Sequence, residues 1–167
     1  MTDAAPFVLP APRFETRDAF VAAGLRERYR FADGSPADAV AAQWGRFAPR
    51  LGTIPGAVPG ADYGFCFMGE DGFDYLCGVE IAAGADPEGL AVARVPALRY
   101  AVFPHDRHIA EFPLTIDAIF GEWLPASGHA LAQSDGAPGI VERYGPGYDP
   151  AAGIGDIEIW IPLAASE

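Results

Sequence analysis

The strict alternation near the C-terminus is the feature that most constrains the fold. In Asp156–Ile161, three isoleucines alternate with an aspartate, a glutamate and a tryptophan. Because successive side chains of a strand point to opposite faces, this segment predicts a strand with one apolar face and with Glu158 beside Trp160 on the other. Such a face can meet water or line a cleft for a cationic ligand. Glu80, between Val79 and Ile81, repeats the pattern earlier in the chain.

The composition predicts one domain with a substantial core and an acidic surface. The chain has 167 residues, of which 50% are hydrophobic, enough for a single domain over residues 13–167 after a loose Ala/Pro-rich lead-in of residues 1–12. A formal net charge of −12 argues against direct binding to nucleic acid, which needs a basic surface. An acidic chain attracts cations and basic partners, but solubility alone is the preferred explanation of this charge, because net charge does not specify a site.

The common signatures of metal, cofactor and covalent chemistry are missing from the sequence. Two cysteines and three scattered histidines predict neither a disulfide scaffold nor a metal site. Phosphate-binding glycine loops and a nucleophile elbow are absent, so we expect no cofactor and no metal. Cys66 and Cys77 are interpreted as small buried hydrophobes. With no signal peptide and no long apolar segment, we expect no membrane contact and a cytoplasmic location.

Hydrophobic periodicity predicts an α+β fold built from two similar units. Each unit reads as a strand, a helix and two further strands, and an antiparallel sheet follows because strands far outnumber helices. The first helix should start at Ser35–Pro36. The predicted strands are 14–29, 63–68, 75–82, 97–104, 140–144 and 156–163, and the helix stripes are Val40, Trp44, Phe47 and Leu51, then Phe112, Ile116, Ile119, Phe120 and Trp123.

Symmetric crossing of the two hairpin loops predicts which residues face each other. Around the turn at Asp71–Gly72, Tyr63 would lie opposite Glu80, and Cys66 opposite Cys77. Across the loop 145–155, Glu142 would face Glu158. One bulge would alter these registers.

Three segments in this order resemble the GyrI-like domain, which is also the effector-binding domain of AraC-type transcription activators. They are Glu122–Gly128, Val141–Tyr144 and Asp156–Pro162, supported by Val95–Ala97 and Phe73–Leu76. The similarity runs from about Phe14 to Leu163. It implies a duplicated βαββ fold whose concave antiparallel sheet and two main helices surround a central ligand cleft.

The resemblance also implies three functions. Family members bind small aromatic or cationic molecules, modulate DNA gyrase, or hydrolyse strained cyclopropane-containing compounds with a cleft glutamate. The chain has no room for a helix-turn-helix before Phe14, so we expect a free-standing domain, monomeric or homodimeric. The favoured hypothesis is a binding domain for an aromatic or cationic ligand, acting in sequestration or in sensing through a protein partner. A hydrolase and a gyrase modulator are the alternatives.

The candidate site residues follow from these interpretations. Glu158 is the first candidate for ligand charge or, in a hydrolase, for acid–base catalysis, with Tyr100 as the orienting hydroxyl. For the other ligand-binding candidates, packing or solvent exposure is the competing interpretation; they are Glu142, Glu80, Trp123, Trp160, Tyr63 and Trp44. Aromatic faces would hold a flat cation by stacking and cation–π attraction.

Overall fold

Eight strands and two main helical segments make up the computed structural model, which describes residues 7–165. The strands are β1 (Arg13–Arg17), β2 (Phe20–Arg30), β3 (Asp62–Met68), β4 (Gly72–Ile81), β5 (Ala91–Val95), β6 (Leu98–Pro104), β7 (Ile140–Tyr144) and β8 (Ile157–Leu163). Helix α1 is Ala37–Phe47. The second helical segment consists of α2 (Phe112–Ala118), a π-helical stretch (Ile119–Trp123) and α3 (Leu124–Ser127).

The strands form one antiparallel sheet in the order β1-β6-β8-β7-β3-β4-β2-β5. This order has the symmetry expected of a duplicated unit: β2-α1-β3-β4 and β6-α2-β7-β8 meet at the central β7–β3 pair. The α+β fold class is therefore confirmed. Strand β5 was not predicted, although it pairs with β2 at the edge of the sheet. Part of the predicted lead-in, residues 1–6, lies outside the described residues.

Helix α1 begins after Pro36 and places one apolar stripe on the sheet. Phe47 is fully buried, and Val40, Trp44 and Leu51 pack into the same cluster, as their helical spacing predicts. The predicted cap Ser35 accepts a long bond of 3.4 Å from the Ala37 N–H. The second segment ends as expected at Gly128, whose φ of 78° is the left-handed conformation that glycine adopts readily.

The two faces of the sheet have different coverings. The helices cover what we call the helix face, which carries the buried clusters under α1 and α2. We call the other side the open face, and its buried residues include Ala22, Tyr63, Phe65, Leu76, Tyr100, Val102, Val141 and Trp160. Among residues 7–165, no helix is both long and apolar enough to cross a membrane.

The sheet curls around its open face. Strands β1 and β2 are six steps apart in the sheet, about 29 Å if it were flat. Only Asp18 and Ala19 connect them, and this connection spans at most about 11 Å. The sheet must therefore curve until its edges approach. The Arg17 guanidinium accordingly lies 3.9 Å from the centroid of the Phe20 ring.

Both predicted hairpin registers are wrong, with different consequences. In β3–β4, Tyr63 pairs with Gly78 and Cys66 with Tyr75. This is a two-residue shift, so every side chain keeps its predicted face. In β7–β8, Glu142 pairs with Ile159 while Arg143 pairs with Glu158. This one-residue shift puts Glu142 and Glu158 on opposite faces. Asp156, the predicted start of this strand, belongs instead to the loop and has a φ of 51°.

Candidate functional site

A carboxylate bound by two tyrosine hydroxyls lies on the helix face, at the centre of the sheet. Tyr75 on β4 and Tyr144 on β7 each donate a hydrogen bond of 2.7 Å to Oε1 of Glu142. The indole Nε1–H of Trp44 on α1 donates in turn to the Tyr75 hydroxyl at 2.9 Å. Glu142 is thus held in place on the helix face through three aromatic residues.

Aromatic rings surround this carboxylate where the two helical segments approach each other. Trp44 meets the Tyr144 ring edge-on with centroids 5.5 Å apart. Phe112, the first residue of α2, lies 6.4 Å from Tyr144, and Tyr148 in the β7–β8 loop lies 4.9 Å from it. Trp44, Phe112 and Tyr148 are only partly buried. We use the name Glu142 box for the following set of residues: Glu142, Tyr75, Tyr144, Trp44, Phe112 and Tyr148.

The Glu142 box depends on the missing side chain of Gly64. This glycine pairs with Glu142 across β3–β7. A Cβ atom at Gly64 would lie 2.2 Å from the Tyr75 hydroxyl oxygen and 2.7 Å from Oε1 of Glu142. Both distances are far below van der Waals contact, so any side chain here would break the tyrosine–glutamate hydrogen bond.

Burial affects the protonation of Glu142 and of the two tyrosines that bind it. Desolvation raises the pKa of the Glu142 carboxyl above its ordinary value, and the hydrogen bonds from Tyr75 and Tyr144 oppose that rise. The pKa values of both tyrosines are raised well above normal, first by burial and then by the charge of Glu142. The two hydroxyls therefore keep their protons and act as donors to the carboxylate.

Glu158 and Glu80, the predicted carboxylates of the open face, are each paired with an arginine of β1. Glu158 accepts from Arg13 at 2.5 Å, from Arg143 at 3.4 Å and from the Trp160 indole N–H at 3.2 Å. Glu80 accepts from Arg17 at 2.6 Å. These glutamates share one face, as their alternation predicts, but their charges are already compensated.

Two cavities open on this side of the sheet. One of about 410 Å³ is lined by Glu158, Trp160, Tyr63 and the three arginines Arg13, Arg17 and Arg143. The other, about 580 Å³, lies towards the β2–β5 edge, where Glu80 is part of a mostly apolar lining. The Arg17–Glu80 ion pair joins the walls of the two cavities.

The predicted site residues divide between the two faces. Glu158, Glu80, Trp160, Tyr100 and Tyr63 lie on the open face, while Glu142, Trp44 and Trp123 lie on the helix face. Trp123 contacts Phe103 and His129, so it is not part of the Glu142 box. Tyr100 is fully buried and meets Trp160 edge-on at 5.3 Å.

Sequence reasoning missed several residues of the Glu142 box. The signal for Tyr75 was its place in the strand, because it alternates with Cys77 and Val79 and so brings a hydroxyl to an apolar face. Tyr144 lies two residues after Glu142 in the same strand, so the two side chains share a face. Gly64, Phe112 and Tyr148 gave no comparable signal.

Comparison with known proteins gives one family and one fold. The family model described as "GyrI-like small molecule binding domain" matches residues 10–164. The transcriptional regulator BrlR of Pseudomonas aeruginosa is 33% identical over 154 residues, covering 90% of this chain and 54% of BrlR. The chain thus spans about half the length of this curated relative.

Solved structures share the fold at low sequence identity. SAV2435, in a structure bound to tetraphenylphosphonium, has a TM-score of 0.74 and 14% identity, covering 92% of this chain and 94% of that one. A putative transcription regulation protein of Staphylococcus aureus MU50 has a TM-score of 0.71 and 15% identity, covering 92% and 98%.

Proposed function

The chain belongs to the GyrI-like small-molecule-binding domain family, and from this premise we propose that it binds a lipophilic aromatic cation at the Glu142 box. One observation carries the proposal: an aromatic cluster on the helix face encloses a carboxylate that forms no salt bridge within residues 7–165, so a cationic ligand would be its charged partner. The tyrosine hydroxyls hold Glu142 by neutral hydrogen bonds, and these leave its negative charge uncompensated.

The energetics of the site favour a cation over a neutral compound. An ionised carboxylate out of water is unfavourable unless it is paired, which is why the pKa of Glu142 is raised. A bound cation would restore that pairing at short range in a medium of low polarity. The rings of Trp44, Tyr144 and Tyr148 would add stacking and cation–π attraction of roughly 0.5–2 kcal/mol per contact.

Access to the carboxylate would come from the solvent-facing side of the box. Glu142 is partly buried rather than sealed. The neighbouring Phe112 and Tyr148 belong to a helix N-terminus and a loop. Movement of these two elements would admit a ligand without breaking the strand ladders that fix Glu142 and Tyr75.

Tetraphenylphosphonium is a suitable probe, because a fold neighbour was solved with it bound and it combines a single positive charge with four aromatic rings. We expect saturable binding by titration calorimetry and markedly weaker binding of triphenylphosphine oxide, an uncharged aromatic analogue. Glu142→Gln should reduce affinity for the cation by roughly tenfold or more, the factor that corresponds to 1.4 kcal/mol. Equal affinity for both compounds would contradict the proposal.

The biological use that we propose is ligand capture, either to sequester a compound or to sense it through a partner. The relative BrlR is a transcriptional regulator of which this chain matches about half, and this supports a sensing role. Sequestration would protect cells in proportion to the amount of protein. A sensing role predicts that a partner protein is recovered with this chain in a pull-down, and that the amount recovered changes when tetraphenylphosphonium is added.

A hydrolase is the second candidate, because burial raises the pKa of the Glu142 carboxyl and so keeps it protonated to a higher pH than an ordinary glutamate, as a proton donor requires. In that function the protonated Glu142 carboxyl would donate its proton to one carbon of the strained ring as a ring carbon–carbon bond breaks. Water would add to the other carbon of that bond, and the proton released from the water would return to the Glu142 carboxylate. Glu158, the predicted catalytic residue, lies on the other face with two arginines. Product formation that survives in Glu142→Gln would exclude this role for Glu142.

A further inference from the structure

We propose that the open face carries a second, separate ligand site, which binds a small flat organic carboxylate in the cavity of about 410 Å³ above Trp160. The site differs in chemistry from the Glu142 box, and the sheet separates the two. It does not depend on the proposed function of that box.

Guanidinium groups surround this cavity. Three arginines (Arg13, Arg17, Arg143) and two glutamates (Glu15, Glu158) line it. Arg17 is paired with Glu80 at 2.6 Å, so it contributes no free charge. The whole chain has a formal net charge of −12, and three guanidinium groups around one cavity are therefore a local departure from the acidic character of the protein.

Arg143 has N–H donors that its neighbouring carboxylates use only weakly. Its contacts to carboxylates are long, 3.4 Å to Glu158 and 4.0 Å to Asp156, whereas charge-assisted hydrogen bonds are usually about 2.7–2.9 Å. Arg13 by contrast binds Glu158 at 2.5 Å and Glu15 at 2.8 Å. A guanidinium has five N–H donors, so Arg143 can bind a ligand carboxylate through both oxygens.

A buried hydroxyl beneath the cavity also lacks a partner. The Tyr100 hydroxyl has no hydrogen-bond acceptor among residues 7–165, although the residue is only 1% exposed. Its ring meets Trp160 edge-on, and the charge of Arg17 acts on its hydroxyl. Burial raises the pKa of Tyr100 to about 12, so it keeps its proton. Leaving such a donor unsatisfied is unfavourable. Tyr100 stands behind the lining residues of the cavity, so a ligand oxygen would satisfy its hydroxyl by entering between Trp160 and Arg17.

The walls select a flat molecule. The Trp160 side chain and the Tyr63 ring stand on neighbouring parts of the open face, and both line the cavity. The Arg13 guanidinium lies 5.9 Å from the centroid of the Trp160 ring. A planar ring would stack on Trp160 while its carboxylate reached Arg143. An aromatic carboxylic acid meets these requirements with one charge and one ring.

Naphthalene-2-carboxylate, with its neutral carboxamide as the matched probe, tests the proposal by titration calorimetry. We expect saturable binding of the carboxylate and weaker binding of the amide. Arg143→Gln should lower carboxylate affinity by roughly tenfold, and Tyr100→Phe by about threefold. Arg99→Gln, an exposed arginine on β6, is the control, and Glu142→Gln should leave carboxylate binding unchanged.

Glu158→Gln provides the sharpest discrimination, because the proposal predicts a gain. Removing this carboxylate frees Arg13 and Arg143 for the ligand, so carboxylate affinity should rise. A fall in affinity would overturn the proposal, as would absence of saturable binding, equal binding of the amide, or unchanged affinity in both Arg143→Gln and Tyr100→Phe. Thermal unfolding of each variant separates loss of binding from loss of folding.

Discussion

The Tyr75 hydroxyl lies 2.7 Å from Oε1 of Glu142, although 67 residues separate the two in the chain. Strands β4 and β7 bring them together across β3, where Gly64 leaves the necessary space. This hydrogen bond joins the two halves of the duplicated fold at the point where the α1 and α2 segments approach each other.

Glu142→Gln should stabilise the unliganded protein at neutral pH while it weakens cation binding. Because the folded-state pKa of Glu142 is raised, the carboxyl favours folding most fully below its unfolded pKa, and this contribution is lost as pH rises through the folded pKa. The side chain of glutamine does not ionise, so the Glu142→Gln variant does not lose this stability as the pH rises. Thermal unfolding at pH 7.5 should show a higher Tm for the variant than for the wild type. A Tm below that of the wild type would contradict this.

Tyr144→Phe should shift the pH dependence of cation binding upwards. The Tyr144 hydroxyl opposes the rise in the pKa of Glu142, so its removal raises that pKa further. Cation affinity should increase with pH as the carboxyl ionises, and the midpoint of this increase should lie at higher pH in the variant. Titration calorimetry between pH 5 and 9 measures both midpoints. Tyr29→Phe, which removes a hydroxyl near Gln43, should leave the midpoint unchanged.

Gly64→Ala should destabilise the fold and disrupt the Glu142 box. The new methyl group would collide with the Tyr75 hydroxyl and Oε1 of Glu142, and crowding of this kind costs about 1–3 kcal/mol. Gly45→Ala is the matched control, because a Cβ in the middle of α1 meets open space and should stabilise the helix by roughly 0.5–1 kcal/mol. Urea unfolding should show a lower free energy of unfolding than wild type for Gly64→Ala and a higher one for Gly45→Ala. A loss in both would point to a different cause.

His105 should make stability fall in mild acid. Its Nε2–H donates to the His108 carbonyl at 3.0 Å, so Nδ1 accepts from the Thr115 hydroxyl at 2.8 Å. Burial lowers the pKa of His105 from 6.5. The stability due to the neutral ring is present above the unfolded pKa and is lost as pH falls towards the folded pKa. Tm measured at pH 7.5 and 5.5 should therefore drop more for wild type than for His105→Asn.

The sequence was sufficient for the fold class because the relevant signals are local. Alternation in β8 correctly placed Glu158 and Trp160 together, and helical spacing identified the stripe of Trp44 and Phe47. Strand β5 was missed because Val92 and Val95 lie between Pro87 and Pro96 and resemble a loop. Its partner β2 lies far away in sequence.

The site was harder to predict because it depends on register and on distant strands. The β7–β8 loop includes Asp156, whose backbone is left-handed. The register that follows this loop places Glu142 and Glu158 on opposite faces of the sheet. The arginines that neutralise Glu158 and Glu80 come from β1, which pairs with β6 at the far edge. Arg13 lies two strands from Glu158, but Arg17 lies five strands from Glu80, and only the curvature of the sheet brings these two side chains together. No local pattern encodes that curvature.

The most direct test of the central claim compares Glu142→Gln with Glu158→Gln in parallel calorimetric titrations with tetraphenylphosphonium. The two glutamates belong to neighbouring strands but face opposite sides of the sheet. We predict that cation affinity falls by roughly tenfold or more in Glu142→Gln and stays within about twofold of wild type in Glu158→Gln. Loss of affinity in Glu158→Gln with normal binding in Glu142→Gln would place the cation on the open face and contradict the account.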